Sequence, residues 1–381
     1  MLNEIIKRII RFIPGFFATA FAFVSVFTAA PERLETMINQ QTERIEALET
    51  AYKNGEIPSV DEDAFFAGDL QTEIDSGMKF NELSFLATHN SYQSPATRET
   101  KLLFQGLSDI TFGIVSENYT DFYSQTLTEQ LNCGLRSFEI DIETFERSGE
   151  ISFTCMHSPY FEMATHCYDF SLALKEISMW SDNNPDHLPI TIIIEPKSVF
   201  VPLKDMKYFN IDYAKAMDEI LRKELGDKLF TPNDMLGDYS SFAELRADDG
   251  WSEVGDMLGK VLVILHDCSV TEEYIAIDPA IRTQAMFPML RSNDINRDCA
   301  SFILENSPKK LTQSKNELIT EGNTIIRTRA DKFGNISAEK LELALASGAH
   351  IISTDYPVRT DLEPDDYVVT FEEKATVKRI K

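Results

Sequence analysis

The sequence predicts an α/β fold: a closed (β/α)8 TIM-type barrel preceded by an N-terminal membrane anchor and a helical stalk. Eight short apolar runs follow one another between residues 83 and 355, and amphipathic helical stretches separate several of them. A length of 381 residues, 43% hydrophobic, accommodates one large barrel core plus an extension.

The extension comes first. Lys7, Arg8 and Arg11 precede an uncharged run from Phe12 to Ala30, long enough as a helix to cross a bilayer. The readings are an uncleaved signal anchor, a signal peptide removed after Ala30, or a buried helix. Pro31 stands just past the most natural cleavage point, which favours the anchor over the peptide. The basic flank places the body of the chain outside the cytoplasm, anchored and facing the periplasm or extracellular side, or secreted if the segment is cleaved. Residues 31–80 read as a helical stalk and linker. In the stalk Leu34, Ile38, Gln41, Ile45, Leu48 and Tyr52 form a seam at alternating four- and three-residue steps, suited either to weak self-association or to lying on the following domain. Residues 54–80, acidic and containing Gly and Pro, read as linker.

Residues 81–381 form the barrel domain. Strands are expected at LSFLAT (83–88), LRSFEIDI (135–142), ISFTCMH (151–157), PITIIIE (189–195), KVLVILH (260–266), QAMFPML (284–290), NTIIRTR (323–329) and HIISTD (350–355). Helices are expected at FSLALKEISMW, YAKAMDEILRKEL and SAEKLELALASG, the last closed by Gly348 as a C-cap. No internal repeat is evident.

Charge and cysteine usage exclude several functions. With 36 Lys and Arg against 62 Asp and Glu, the net charge of −26 rules out a broad nucleic-acid surface and repels anionic lipid. An anionic substrate therefore needs local positive charge, and a divalent cation supplies it. The five cysteines show no zinc spacing. Cys155/Cys167 and Cys268/Cys299 are open to pairing or to remaining thiols.

The chemistry is expected where barrel strands end. The first strand ends in His89-Asn90, the second carries Glu139 and Asp141 on one face, the third ends in His157 and the fourth in Glu195. Three carboxylates and an amide oxygen form a hard, oxygen-rich set that suits Ca2+. Two histidines beside such an ion can stabilise developing charge on a phosphate and protonate a leaving alkoxide, which describes phosphodiester cleavage. A single strand-end histidine or a lone Glu-x-Asp is more often structural; four successive strand ends of this kind are not.

These residues resemble the bacterial branch of the calcium-dependent phosphoinositide-specific phospholipase C-like phosphodiesterases. The matching elements are THNSY (88–92), FEIDI (138–142), MHS (156–158), PITIIIEPK (189–197), RTRAD (327–331) and SGAHIISTDYP (347–357). The resemblance implies that His89 stabilises a pentacoordinate phosphorane and that His157 is the general acid for a diacylglycerol leaving group. It also implies that Asn90, Glu139, Asp141 and Glu195 hold Ca2+, with Glu139 a candidate base. An inositol hydroxyl would attack the phosphate to give a cyclic inositol phosphate. Lys197, Arg329 and Asp355 are candidate substrate contacts, or else ion pairs around the mouth. The lysine pair with which eukaryotic members grip ring phosphates is not found, so unsubstituted phosphatidylinositol is the expected lipid.

Two rivals remain at this stage. A glycerophosphodiester phosphodiesterase uses a similar barrel, histidine pair and Glu-x-Asp, but usually has arginine after the first histidine, where this chain has Asn90. An anchored, catalytically inactive binding protein would have lost one of the six site residues, and all six are present.

Overall fold

The computed structural model describes residues 19–20, 22–24, 30–111, 124–159, 164–198, 202–331, 337–357 and 368–380. Its centre is a closed ring of eight parallel strands: β1 (Leu83–Thr88), β2 (Ser137–Arg147), β3 (Ile190–Pro196), β4 (Val261–Leu265), β5 (Phe287–Arg291), β6 (Phe302–Leu304), β7 (Ile325–Arg329) and β8 (Ile351–Thr354). Parallel pairing runs around this series, and β8 meets β1 through Ile351↔Phe85 to Thr354↔Thr88.

Alternation along each strand divides the core in two. Ile192 and Ile194 of β3 and Val263 and Leu265 of β4 pack outward against the helices, while Ile193, Leu262, Ile264, Phe287 and Phe302 fill the interior. Both faces of β3 are therefore covered, which is why ITIII reads as a continuous apolar run. The interior is apolar only in its lower part. Toward the C-terminal ends the inward positions become Glu139, Asp141, Glu195, Arg327, Arg329, His89 and Asp355, so the barrel closes below on aromatic rings and opens above on charge.

Two strand expectations are corrected. Glu150–Cys155, expected as the third stave, pairs antiparallel with the outer half of β2, from Ile142↔Cys155 to Arg147↔Glu150. The cause is the turn at Ser148-Gly149, with φ of 54° and 84°, which folds the chain straight back as a two-residue hairpin. The missing stave is β6. Its three residues are too short an apolar run to announce a strand, and its neighbours supply the pairing.

The segment 54–80, expected as linker, is part of the barrel's base. Phe66, Leu70, Met78 and Phe80 are buried in the interior cluster. Phe66–Ala67 pairs in parallel with a C-terminal strand, Val377–Arg379, which pairs antiparallel with the lower half of β1. Because β1 contacts β2 only through Ala87 and Thr88, this C-terminal strand lies where the ring is otherwise open. Glu62 pairs with the fully buried Arg136, whose guanidinium stacks 4.6 Å over Trp180.

The stalk helix, Ala30–Lys53, lies along helix Phe170–Asn183. Gln41 exchanges hydrogen bonds with the backbone of Asp169 at 2.9 and 2.7 Å, and Arg44 pairs with buried Glu176. Gln41 and Ile45, the middle of the seam, are buried against the chain's own barrel.

Most of the apolar run Phe12–Ala30 lies outside the described residues. Among the described residues no helix is long and apolar enough to cross a membrane, and Ala22 is buried against Leu103 and Leu107 of helix Arg98–Ile110. The expected anchor thus finds no support in the described part of the chain. All five cysteines are free thiols.

Candidate active site

The loop after β1 is built by its own side chains. Thr88 donates its hydroxyl to Gln130 Oε1 at 2.6 Å, and Gln130 Nε2 donates to the Ser91 carbonyl at 2.8 Å. Ser91 ties the turn to β2, donating its N–H to the Glu139 carbonyl and accepting the Glu139 N–H on Oγ, both at 2.9 Å. Asn90 adopts φ 50°, a left-handed conformation that Asn tolerates better than most residues, and its amide Nδ2 donates to Gln93 Oε1 at 3.4 Å. Tyr92 reaches Asp141 Oδ2 with its hydroxyl at 2.9 Å.

The carboxylates meet as the sequence pattern requires. Register places Asp141 beside Glu195 and Glu139 beside Ile193. One oxygen from each of Glu139, Asp141 and Glu195 lies within 4.8 Å of the others. Lys197 joins two of them, with Nζ 3.1 Å from Asp141 Oδ2 and 2.7 Å from Glu195 Oε1. Arg327 donates to Glu139 Oε2 and, at 3.2 Å, to Ser353 Oγ.

Their charge states follow from burial and these partners. Burial works to raise Glu139, but Arg327, then His89, His266 and Arg329, outweigh it and hold the carboxyl well below the usual range. Asp141 is raised, because burial exceeds the opposing effect of Lys197. Glu195 is lowered, Lys197 and His266 together outweighing its burial. Burial would lower Lys197, yet Asp141 and Glu195 keep its ammonium charged well above the ordinary lysine value. Glu143, next on the same face of β2, is buried and accepts no hydrogen bond on Oε1; burial, then the charge of Asp141, pushes it up to about 8.

His89 lies between two carboxylates. Its Nδ1 is 2.6 Å from Asp355 Oδ1, and its Nε2 is 3.9 Å from Glu139 Oε1. Arg329 Nη2 also approaches Nδ1, at 3.2 Å, but the carboxylate contact is much the shorter and a carboxylate only accepts, so we assign the proton to Nδ1, with Nε2 toward the mouth. Arg329 Nη2 lies 3.8 Å from the same Asp355 oxygen. Of the expected substrate contacts, Lys197, Arg329 and Asp355 are thus each engaged by site residues. His157 follows the hairpin strand and not a stave, and its charge reaches both Asp141 and Glu143.

The donor set fits calcium. Asn90 Oδ1 and Asp141 Oδ1 are buried and accept no hydrogen bond within the protein; Asp141 stands in the three-carboxylate cluster, and Asn90 follows His89 just past β1. Sequence reasoning missed several participants. His266 ends β4 by the same strand-end rule, Arg327 stands inside the RTRAD motif two residues before Arg329, and Tyr92 closes THNSY.

The family model for phosphoinositide phospholipase C, Ca2+-dependent, matches residues 146–380. The chain belongs to this family. It is a phospholipase C-type phosphoric diester hydrolase, with Ca2+ as its cofactor. The matched span includes His157, Glu195, Lys197, Arg327, Arg329 and Asp355, while the barrel itself brings His89, Asn90, Glu139 and Asp141 to the same mouth. Among solved structures the fold is similar to a calcium-dependent phosphoinositol-specific phospholipase C from Pseudomonas sp. (16% identity, 84% of this chain and 99% of that chain covered, TM-score 0.54). It is also similar to a Ca2+-dependent phosphatidylinositol-specific phospholipase C from Streptomyces antibioticus (17% identity, 73% and 94% covered, TM-score 0.53). No curated protein matches the chain.

Proposed function

We propose that the chain cleaves phosphatidylinositol by intramolecular attack, releasing diacylglycerol and a cyclic inositol phosphate, in an exported barrel domain whose staves lie within residues 81–381 and whose base includes residues 54–80. The observation that carries this reading is the convergence of Glu139, Asp141 and Glu195 beside His89, with Asn90 next to His89 in the chain and the oxygens Asn90 Oδ1 and Asp141 Oδ1 buried without a hydrogen-bond partner. Asn90, Glu139, Asp141 and Glu195 would hold the calcium, which, when bound, acidifies the attacking hydroxyl and offsets the phosphate's charge.

The chain's own groups do the rest. His89, set between Asp355 and Glu139, acts as the imidazolium: Asp355 holds its Nδ1–H, and its Nε2–H donates to a phosphate oxygen and stabilises the charge that grows there. His157 donates a proton to the departing glycerol oxygen. Glu139 is the expected base, but Arg327 makes it a weak proton acceptor. The other Glu139 oxygen, Oε1, lies 3.9 Å from His89 Nε2 and is the one left for the hydroxyl proton. Asp355 orients His89 in this reading; it does not touch substrate.

The headgroup follows from where the cations are. Lys197, Arg327 and Arg329 each face a carboxylate of the site, so among the described residues these three are committed before any ring phosphate arrives. That favours unsubstituted inositol over polyphosphorylated forms. The basic flank ahead of the apolar run Phe12–Ala30 supports export of the barrel.

Mutants separate the roles. His157→Ala should abolish phosphatidylinositol turnover while leaving the calcium affinity measured by calorimetry within about threefold, whereas Glu195→Gln should weaken that affinity by roughly 10- to 100-fold. Unchanged calcium binding in Glu195→Gln would remove Glu195 from the cation centre. Unchanged turnover in His157→Ala would remove the general acid.

A further inference from the structure

Two buried carboxylates stand in series behind His89, and the reaction as described uses only the nearer, Asp355. The farther one, Asp331, lies two residues past β7 and is buried. Its Oδ1 accepts the backbone N–H of Asp355 at 3.0 Å, and its Oδ2 accepts the Thr354 hydroxyl. Thr354 Oγ1 in turn accepts the N–H of Tyr356 at 3.1 Å. Asp331 itself is tied down, because Lys340 Nζ donates to its carbonyl at 2.6 Å.

Both oxygens of one planar group thus hold consecutive residues at the end of β8, the point where Asp355 must turn inward to meet His89. Keeping an acid there is costly. Burial, then the charge of Asp355, pushes Asp331 up to about 6. A group with only a packing role would not need to be a second carboxyl beside the first.

We propose that Asp331 is a positioning residue for the phosphodiesterase reaction: it pins the Thr354–Tyr356 turn so that Asp355 stays on His89 Nδ1 and Nε2 stays aimed at the mouth. The proposal rests on the role given to His89 above. Misplacing a catalytic group by an ångström costs up to ~100-fold in rate.

The test uses the full chain in detergent with Asp331→Ala and Asp331→Asn. Asp331→Ala should lower kcat by roughly 10- to 100-fold with KM and calcium affinity each within about twofold of the parent. Asp331→Asn keeps an acceptor for the Asp355 N–H, and the Thr354 hydroxyl can reverse, so it should restore most of the turnover. Long-range 1H–15N spectra of the imidazole rings should show a persistent Nδ1–H on His89 in the parent and in Asp331→Asn, and its loss or exchange broadening in Asp331→Ala. An unchanged kcat in Asp331→Ala, an equal loss in both variants with the His89 Nδ1–H intact, or a loss carried by calcium affinity would each overturn the proposal. If Asp331→Ala does not fold, Thr354→Val, which removes one donor and leaves the carboxylate, must lower kcat without changing KM. Should the parent fail to cleave phosphatidylinositol, the substrate reading falls, and the ring spectra still decide the role of Asp331.

Discussion

Replacing Arg327 by Met tests how the mouth of the barrel carries buried charge. Arg327 and Glu139 are both almost wholly buried, and the guanidinium bridges Glu139, Ser353 and Asn306. Removing one member of such a pair strands the other, at a cost of about 3–5 kcal/mol. Lys197 is held by Asp141 and Glu195, Arg329 lies 3.8 Å from Asp355, and His89 Nε2 is 3.9 Å from the opposite Glu139 oxygen, so these groups offset Glu139 only at longer range. For a domain stable by ~5–15 kcal/mol this is a large fraction. The pH dependence gives a second check. In the parent, Glu139 is depressed, so its contribution is complete above the ordinary carboxylate pKa and is lost only as pH falls through the lower folded value. In Arg327→Met burial dominates and the carboxyl rises, so the deficit should be greatest in alkali and shrink as the pH falls and Glu139 takes up a proton. Urea unfolding at about pH 8 and pH 5 with chelator present measures both effects. A loss under about 1 kcal/mol at the higher pH, or one that does not change with pH, would refute the reasoning.

Other predictions concern the same face and the base. Glu143, pushed up to about 8, binds a proton in the folded state that the unfolded chain has released, so its contribution is complete below the ordinary glutamate pKa and is lost as pH rises toward 8. Glu143→Gln should therefore flatten the fall in stability over that window and leave the variant more stable than the parent at alkaline pH; melting curves in chelator across this range check it. Phe80 fills the base of the interior beside Phe85 and Phe302, with ring centroids 6.1 and 6.5 Å away. Phe80→Ala should cost about 3–5 kcal/mol by urea unfolding, whereas a residue of a free linker would cost almost nothing.

Much of the barrel was legible because its staves are buried on both faces, and runs such as ITIII and VLVIL leave few other structures open. The hairpin strand was misplaced for the same reason that made it visible. ISFTC has the composition of a stave, and only the Ser148-Gly149 turn distinguishes it, a cue present in the sequence but outweighed by the apolar run. β6 could not be read, since three residues acquire strand character from β5 and β7 and not from their own pattern. The base segment looked like linker because its acidic residues are numerous and its few large apolar residues are spaced irregularly, although Phe66, Leu70, Met78 and Phe80 all point into the core.

In the site, the pairing of Glu139 with Asp141 and the place of Glu195 follow from strand periodicity, which register then brings together. The counter-charges do not follow from any local pattern. Arg327 reaches Glu139 across 188 residues of sequence, and Asp355 reaches His89 across 266. Such contacts are set by closure of the ring, so a sequence shows the charges without showing which is matched to which.

The central claim is calcium-dependent intramolecular cleavage. Phosphorus NMR of the full chain with phosphatidylinositol micelles, recorded with calcium and again with excess chelator, tests it most directly. The account predicts a cyclic inositol phosphate signal that grows with calcium and is absent with chelator. An acyclic phosphate formed from the start, or the same product in chelator, would contradict it.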